Sequence, residues 1–332
     1  MSGAGKGAAA VRLFDAHCHL QDPRVFSVAP QLIRKAQESG VLRFAVNGVS
    51  EKDWHLVKQM SEQHPCVIPC FGLHPWYVEE RSPNWLSSMK EFFNAVPCAA
   101  VGEVGLDKGS HGKEIDFSVQ IEVLRQQLAF AKEVGRPVSI HCVRAFGDLL
   151  EVLQYLLVSL VDGLKSRYSS AICYPCYLSD GPFPAGLLLH SYLGSAEMVP
   201  EFTKHGAYFS FSGYLTTMKP QKAKKMLKMV PIDRILLESD APDGFPRLGE
   251  CSFSLVPGDA SIPQEQQIQM GDINADTTKL PKETLNHPAN VSTVLHYVAK
   301  LLEISEEELA EVSYRNATHL FSYPGSKVSA ES

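Results

Sequence analysis

Short apolar runs alternate with amphipathic stretches along most of the chain. The runs are rich in β-branched residues, and in the stretches between them apolar residues recur at helical spacing. In 116–134, for example, Val119, Val123 and Leu128 lie near one face of a helix that Gly135 ends. Because parallel strands of one sheet need a crossover connection, usually a helix, this alternation predicts repeated β/α units.

The apolar runs predict eight strands, and the amphipathic stretches predict helices. Strands are expected at 11–15, 43–49, 67–72, 99–102, 137–141, 186–190, 207–211 and 234–238, and helices at 30–39, 52–63, 84–93, 116–134, 221–229, 289–302 and 305–320. Eight such units fit an α/β fold of the (β/α)8 TIM-barrel type. No shift in composition marks a domain boundary, so 11–322 is predicted to be one barrel domain.

Four segments fall outside this alternation. Residues 1–10 predict a flexible tail, and residues 323–332 predict a C-terminal tail. The segment 159–185 is rich in Ser, Tyr and Pro, and 243–287 shows no clear periodicity. Both are expected to be loop insertions, the second at the rim of the barrel face that carries the active site.

The charge balance argues against one class of nucleic-acid-binding protein but does not identify the function. The chain of 332 residues has 31 Lys plus Arg and 37 Asp plus Glu, a formal net charge of −6. This argues against a protein that coats nucleic acid through basic charge, but a nuclease needs only a local basic rim. No run approaches the roughly 20 apolar residues of a membrane span. Without a secretory signal, the eight cysteines are expected to be reduced, in a cytoplasmic or nuclear protein.

Polar residues stand where the predicted strands end. They are His17 and His19 after the first strand, His74 after the third, Glu103 and Asp107 after the fourth, His141 and His190 at the fifth and sixth, and Glu238 and Asp240 at the eighth. In a TIM barrel these ends meet at the face where loops build the active site. Apolar strands have no packing reason to end repeatedly in His, Glu or Asp, so the pattern predicts a metal site.

The pair His17 and His19 has the spacing of a chelate. Alternate residues of an extended strand share a face, so both imidazoles can bind one ion, whereas Cys18 and Cys142 should point away from it. Imidazole and carboxylate donors suit Zn²⁺ or Mn²⁺, and carboxylates also admit Mg²⁺. A lone His-x-His is more often a pair of satisfied surface or core histidines, and the other polar strand ends favour the metal site.

Several segments occur together in an order typical of one family. They are FDAHCHL (14–20), GLHP (72–75), AVGEVGLD (100–107), PVSIHCVRA (137–145), LLLHSYLGS (187–195), YFSFSG (208–213), ILLESDAP (235–242) and RNATHLF (315–321). With these motifs the chain resembles the TatD family of metal-dependent hydrolases, among the amidohydrolase-like TIM barrels. The resemblance implies a two-metal deoxyribonuclease or related phosphodiesterase, an ester-bond hydrolase of DNA catabolism.

The resemblance also implies roles for individual residues. His17, His19 and Asp240 would bind the first of two divalent ions (Mg²⁺, Mn²⁺ or Zn²⁺), His141 and His190 the second, and Glu103 both. His74 would lie near the substrate phosphate, and Asp240 would accept the proton of the attacking water. The predicted catalytic residues are therefore Asp240, Glu103 and His74.

The predicted substrate contacts are His74, Arg144 and Lys108. Arg144 begins the loop after His141, and Lys108 stands where the family often has Tyr, which is a departure from its pattern. Neither residue is a predicted metal ligand. A lysine run at 219–228 would be a phosphate-binding rim or, as is more common for such runs, a solvated helix face.

Three functions remain open from the sequence. The first is a 3′→5′ exodeoxyribonuclease or related phosphodiesterase whose partner is DNA, RNA or a nucleotide. The second is a hydrolase of an ester or amide, such as a D-aminoacyl-tRNA deacylase, since the same metal chemistry attacks carbonyl and phosphoryl centres. The third is a weakly active or inactive barrel that binds a partner, which the full set of candidate ligands argues against. Cationic groups around the site would favour the first function, and an enclosed apolar pocket the second.

Overall fold

The computed structural model describes residues 11–167, 183, 185–263 and 273–328. Within them, eight strands pair in parallel in chain order and form one sheet. The strands are β1 (Leu13–Cys18), β2 (Val41–Asn47), β3 (Val67–Phe71), β4 (Ala100–Asp107), β5 (Val138–Val143), β6 (Leu187–Leu189), β7 (Ala207–Phe211) and β8 (Ile235–Leu237). The helices are α1 (Ala29–Glu38), α2 (Trp54–Gln63), α3 (Trp85–Ala95), α4 (Phe117–Val134), α5 (Phe146–Arg167), α6 (Val199–Thr203), α7 (Pro220–Leu227), α8 (Val291–Leu302) and α9 (Glu306–Leu320). The predicted α/β barrel is confirmed.

The sheet closes where the chain leaves β1 and β8. The backbone N–H of Asp240 donates to the carbonyl of His17 at 3.0 Å, and the N–H of His19 donates to the carbonyl of Ala241 at 2.7 Å. These bonds join the carboxyl end of β1 to the residues that directly follow β8. The closure of the barrel therefore brings Asp240 to His17 and His19, two predicted ligands from which it is more than 200 residues away in sequence.

Side-chain alternation along the strands divides the barrel interior into an apolar layer and a polar layer. The inward-facing residues Phe14, Ala45, Ile68, Leu188, Tyr208 and Leu236 form one buried cluster with Tyr314, Leu320, Phe321 and Val328. Two residues further along four of these strands, the buried interior positions are Asn47, His190, Ser210 and Glu238. Because side chains repeat with a period of two along a strand, one set of strands builds the core at one end and the polar site at the other.

Several predicted boundaries are wrong, and three of them concern predicted site residues or insertions. β1 extends to Cys18 instead of stopping at residue 15, so His17 lies within the strand and not after it. β4 extends to Asp107 instead of stopping at residue 102, so Glu103 lies within the strand and not after it. α5 extends to Arg167, so the first part of the segment predicted as a loop at 159–185 is helical. Its apolar residues continue at helical spacing past residue 159, a pattern that the Ser and Tyr content of the segment obscured. Residues 168–182 and 184 lie outside the described residues.

The other predicted insertion, 243–287, contains regular structure. β9 (Glu250–Phe253) and β10 (Ile273–Asp276) pair in antiparallel orientation. Of the residues that connect these two strands, 264–272 lie outside the described residues. The segment returns to the site, because the Asn286 side chain donates to the Ser239 carbonyl at 2.8 Å. It therefore supports the loop that carries Asp240.

The described part of the predicted C-terminal tail packs against the fold. The Tyr323 hydroxyl donates to the Cys98 carbonyl at 2.9 Å. The Lys327 ammonium donates to the Ser61 hydroxyl at 2.7 Å, and Val328 is buried in the interior cluster. Residues 323–328 thus help to cover the end of the barrel opposite the polar layer, whereas 329–332 and the predicted tail 1–10 lie outside the described residues.

The described helices and thiols add two observations. None of the helices in the described ranges is long and apolar enough to cross a membrane. The thiols of Cys18, Cys66, Cys70, Cys98, Cys142 and Cys251 are free. Burial raises the pKa of the Cys18 and Cys142 thiols, and Cys18 donates to the Ala45 carbonyl at 3.6 Å. These two protonated thiols are poor metal ligands at neutral pH.

Gly105 allows β4 to pass close to β5. A Cβ at this position would collide with the carbonyl oxygen of His141. We expect Gly105→Ala to displace β5 where it carries His141 and to lower the free energy of unfolding by about 1–3 kcal/mol. Urea denaturation measures the change. Gly147→Ala is the matched control, because a Cβ there meets nothing within 4 Å, and equal stability of the two variants would contradict the close approach.

Candidate active site

Glu103 lies at the centre of a buried group of imidazoles in the polar layer. Its Oε2 is 3.4 Å from His17 Nε2 and 3.2 Å from His19 Nε2. Its Oε1 is 2.7 Å from His190 Nε2 and 3.0 Å from His141 Nδ1. Glu103 is 2% exposed, so bulk water does not screen these contacts. The two oxygens of one carboxylate thus face two different pairs of imidazoles.

Asp240 joins the pair that faces Glu103 Oε2. Its Oδ1 is 3.8 Å from His17 Nε2 and 3.6 Å from His19 Nε2, and the two Nε2 atoms are 3.1 Å apart. The donor atoms lie close enough to share an ion in three combinations, which are His17, His19 and Asp240; His17, Glu103 and His190; and His74, Glu103 and His141. All six predicted metal ligands are therefore brought together.

Most of these imidazoles have a second hydrogen bond on the ring nitrogen that faces away from Glu103. The partners are Ser139 Oγ at 2.7 Å from His17 Nδ1, the Asn47 carbonyl at 2.8 Å from His19 Nδ1, and Asp107 Oδ2 at 3.1 Å from His141 Nε2. His190 Nδ1 has no hydrogen-bond partner in the described part of the chain, and it lies 3.7 Å from Glu238 Oε1. Such partners fix the ring orientation and tautomer of metal-binding histidines.

The tautomers set by these partners fit a site for divalent cations. A carbonyl oxygen only accepts, so His19 Nδ1 carries the hydrogen and a neutral His19 presents the Nε2 lone pair to Glu103. Likewise, His141 Nε2 donates to Asp107, which leaves the Nδ1 lone pair facing Glu103. Lone pairs aimed at a carboxylate repel it unless a proton or a metal ion lies between them. Ligand atoms about 2.1 Å from one ion lie about 3.0–3.4 Å from each other, close to the spacings observed here.

His74 has the opposite tautomer. Its Nδ1 accepts from the backbone N–H of Trp76 at 3.1 Å, so in the neutral ring the hydrogen lies on Nε2. That Nε2 is 3.3 Å from Glu103 Oε1 and can donate to it. A ring with both nitrogens engaged in this way offers no lone pair to a metal ion. His74 is thus a hydrogen-bond donor in the site, and its predicted contact with the substrate stays a prediction.

The electrostatics of the site reflect the concentration of carboxylates and imidazoles. Burial raises the pKa of Glu103, but the surrounding imidazoles outweigh it and hold that pKa well below its usual range. Burial lowers the pKa of His19, but the carboxylates of Glu103 and Asp240 raise it to about 9. Burial, together with His190, lowers the pKa of His17 to about 3. Burial raises the pKa of Asp240 to about 7, against the effect of the nearby imidazoles.

The two cationic side chains that are predicted to contact the substrate lie in the loops around the buried imidazoles. Lys108 directly follows Asp107, and its ammonium is 2.7 Å from the Asp148 carboxylate and 4.1 Å from the centre of the Phe117 ring. Arg144 directly follows β5, is exposed and has a φ of 54°. Both side chains are at the face that carries the site, but Lys108 is already paired with a carboxylate.

Three of the five lysines in the run at 219–228 form ion pairs with two neighbouring carboxylates. Lys224 and Lys228 lie 2.7 and 3.3 Å from the Glu303 carboxylate, and Lys225 lies 2.6 Å from Glu197. These contacts place much of α7 on a solvated, ion-paired surface. The run therefore fits the solvated face better than the phosphate-binding rim.

Sequence reasoning missed the residues that support the imidazoles. Asn47 and Ser139 were not among the predicted residues, and Asp107 and Glu238 were predicted only as polar strand ends, with no role of their own. Glu238 accepts from Ser191 N–H at 2.7 Å. Asp107 and Glu238 do stand at strand ends, so their position gave a signal. Asn47 and Ser139 occupy interior strand positions, and a small polar residue there has many explanations.

Similarity to known proteins shows the family to which the chain belongs. The sequence model of the family described as TatD related DNase matches residues 14–322. The chain belongs to this family. It is 27% identical over 309 residues to an uncharacterized metal-dependent hydrolase, YabD, of Bacillus subtilis, covering 93% of this chain and 98% of YabD. It is 22% identical over 311 residues to the 3′-5′ ssDNA/RNA exonuclease TatD of Erwinia tasmaniensis, covering 93% and 99%.

A solved structure confirms the fold. The crystal structure of YjjV, a TatD homologue from Escherichia coli, superposes with a TM-score of 0.70 at 23% identity and covers 95% of this chain and 100% of YjjV. The resemblance drawn from the motifs is confirmed by the family match, and the chain is a metal-dependent hydrolase of the deoxyribonuclease class, acting on phosphodiester bonds.

Metal affinity should depend strongly on pH. In the metal-free site the raised pKa values of His19, about 9, and Asp240, about 7, mean that an incoming ion displaces protons at neutral pH. Both groups must lose a proton to bind the ion, so metal affinity should increase as pH rises, by about 10²–10³-fold between pH 6 and 8. Calorimetric titration of metal-stripped protein with Mn²⁺ in buffers of different ionisation enthalpy measures affinity and proton release together. Affinity independent of pH would contradict the assignment of these two groups as ligands.

Proposed function

We propose that this protein is a 3′→5′ exonuclease of single-stranded DNA that acts through two divalent ions. The observation that carries the two-ion proposal is the placement of Glu103, whose two oxygens face separate imidazole pairs. A carboxylate in that position can bridge two cations and set their separation. The direction of attack and the nucleic-acid substrate are proposed from the printed activity of the Erwinia tasmaniensis relative.

Under this proposal the ligands divide into two groups. His17, His19 and Asp240 would hold one ion, His141 and His190 would hold the other, and Glu103 would be a ligand of both. Bound divalent ions, Mg²⁺, Mn²⁺ or Zn²⁺, supply positive charge that activates water and stabilises the charge developing on a phosphodiester. The imidazole-rich donor set suits Zn²⁺ and Mn²⁺, and the carboxylates also admit Mg²⁺.

Two side chains perform the proton chemistry and the orientation of substrate. Asp240 is 6% exposed, and as a carboxylate it accepts the proton of the attacking water. The Nε2–H of His74 donates to a non-bridging phosphate oxygen in place of its contact with Glu103. Arg144 and Lys108 at the adjoining loops contact neighbouring phosphates, and Lys108 exchanges its contact with Asp148 for one of them.

A polar cleft adjoins the site. It has a volume of about 600 Å³ and opens beside Asp107, and the charged residues that line it are Asp107, Lys108, Lys113, Glu79, Glu114 and Asp116. This cleft is open and polar, unlike the enclosed apolar pocket that an acyl substrate would favour. It therefore does not support the deacylase hypothesis.

A cleavage assay on linear and circular substrates tests the proposal. Metal-stripped protein is incubated with 5′-labelled linear single-stranded DNA, with the same DNA blocked at its 3′ end, and with circular single-stranded DNA, each with Mg²⁺, Mn²⁺ or Zn²⁺ added back. We expect a ladder of shortened products from the unblocked linear DNA alone, and none without metal. His141→Ala should abolish the ladder, and His296→Ala, a surface histidine paired with Glu306, is the matched control.

Other outcomes of this assay would overturn parts of the proposal. Cleavage of circular DNA would make the enzyme an endonuclease. Cleavage that starts at the 5′ end would reverse the direction. No cleavage by protein that binds its ions would contradict the choice of DNA as substrate. Hydrolysis of a D-aminoacyl ester in the same samples would show that the enzyme acts on an acyl bond instead.

A further inference from the structure

Trp76 makes hydrogen bonds to two different parts of the site. Its backbone N–H donates to His74 Nδ1 at 3.1 Å, and its indole Nε1–H donates to Asp107 Oδ2 at 2.6 Å. Both partners are buried, His74 at 4% and Asp107 at 2% exposure. A charge-assisted hydrogen bond of this length, shielded from water, is stronger than a neutral one. Trp76 directly follows the GLHP motif, but the metal-site pattern gives it no role.

Asp107 Oδ2 is shared between Trp76 and His141. The same oxygen accepts from His141 Nε2 at 3.1 Å, and the other oxygen accepts from the Gly109 backbone N–H. Asp107 is therefore held on both oxygens, and Trp76 and His141 together fix where Oδ2 lies. Without the indole N–H, the carboxylate could rotate about its Cβ–Cγ bond and release the His141 ring.

The indole ring itself is held between aromatic neighbours. Its centre is 4.5 Å from that of His111 and 4.8 Å from that of His74, at 76° to the latter. This packing fixes the direction in which the indole N–H points. A phenylalanine at position 76 could keep the packing and the backbone bond to His74 while removing the bond to Asp107.

We propose that Trp76 is a positioning residue for the metal site, which through Asp107 holds His141 in the orientation that binds an ion. The inference rests on the proposed function, because it concerns the ligand role of His141. Hydrogen-bond partners of metal-bound histidines typically change metal affinity by about 10–100-fold when removed. The loss should be confined to the ion held by His141, since Trp76 has no contact with His17 or His19 among the described contacts.

A double-mutant cycle on metal binding tests the proposal. Metal-stripped wild type, Trp76→Phe, Asp107→Asn and the double variant are titrated with Mn²⁺ by calorimetry, with bound ions counted by electron paramagnetic resonance. We expect Trp76→Phe to weaken one of two Mn²⁺ sites about 10-fold and leave the other unchanged. The double variant should bind no more weakly than Asp107→Asn, because both substitutions act through the same carboxylate. Trp85→Phe on α3 is the matched control and should match wild type.

A second readout does not depend on metal. In the NMR spectrum of the metal-free protein, the Trp76 indole N–H should resonate downfield, and it should move upfield in Asp107→Asn. An unmoved resonance would overturn the hydrogen bond on which the proposal stands, even if a variant were poorly stable.

The outcomes separate this inference from the proposed function. Two ions bound equally by wild type and Trp76→Phe would overturn the role of Trp76 and leave the two-ion site standing. Additive losses in the double variant would also overturn it, because they would mean that Trp76 acts without Asp107. A wild type that binds no ion would overturn the proposed function, and the positioning role with it.

Discussion

Glu103→Ala should abolish hydrolysis of single-stranded DNA, with kcat/KM falling by at least about 10³-fold. Among the described residues, Glu103 is the one carboxylate that faces both His17–His19 and His141–His190, at 2.7 to 3.4 Å. Its removal takes a shared ligand and a negative charge from both proposed ions at once. We expect calorimetry to show fewer than two Mn²⁺ ions per chain.

The same substitution should leave the fold intact. Glu103 belongs to the polar layer of the barrel, and the apolar cluster around Phe14 and Leu236 does not depend on it. Its loss also removes the carboxylate that raises the pKa of His19 and His190, so both rings become neutral more readily. Circular dichroism checks the fold, and Glu306→Ala on the surface is the control. Full activity in purified Glu103→Ala, or two ions still bound, would contradict the bridging role.

Asp240→Asn should reduce kcat by about 10²–10⁴-fold while changing DNA affinity little. The amide has nearly the shape of the carboxylate but cannot accept the proton of the attacking water. It also offers its carbonyl oxygen to a metal ion, so the ion held with His17 and His19 is weakened less than by alanine. Single-turnover rates and DNA binding measured separately distinguish the two effects.

The pH profile gives a second test of Asp240. Its pKa is raised to about 7 in the metal-free site, and a general base acts when deprotonated. Wild-type activity should therefore rise with pH and level off, with the midpoint below 7 once bound cations favour the carboxylate. Asp240→Asn should lack this limb. Asp243→Asn, an exposed carboxylate paired with Arg24, is the control, and equal losses of binding and turnover in Asp240→Asn would contradict a role as base.

Much of the site could be predicted because several of its residues occupy equivalent positions in successive β/α units. His17, His141, His190 and Asp240 each stand at or near the carboxyl end of an apolar strand, and the barrel brings these ends to one face. The order of the strands follows from the order of the β/α units. The family motifs then supplied the division into two groups of ligands, which the spacing alone left open.

The rest depends on contacts between residues far apart in sequence. Ser139 supports His17 across 122 positions, and the Trp76 indole reaches Asp107 across 31. Nothing in the local sequence indicates which serine or tryptophan makes such a bond. The helical part of 159–185 differs, because its Ser, Tyr and Pro content favours a loop whereas the spacing of its apolar residues indicates a helix. The predicted cytoplasmic or nuclear location stays a prediction.

The most direct test of the two-ion account is one titration in which bound Mn²⁺ and DNA cleavage are measured in the same samples of metal-stripped protein. Ions per chain are counted after rapid desalting, and cleavage is followed on 5′-labelled single-stranded DNA. The account predicts that cleavage appears as the second ion per chain binds and reaches its plateau at two. Full activity at one ion per chain, or no activity at two, would contradict it.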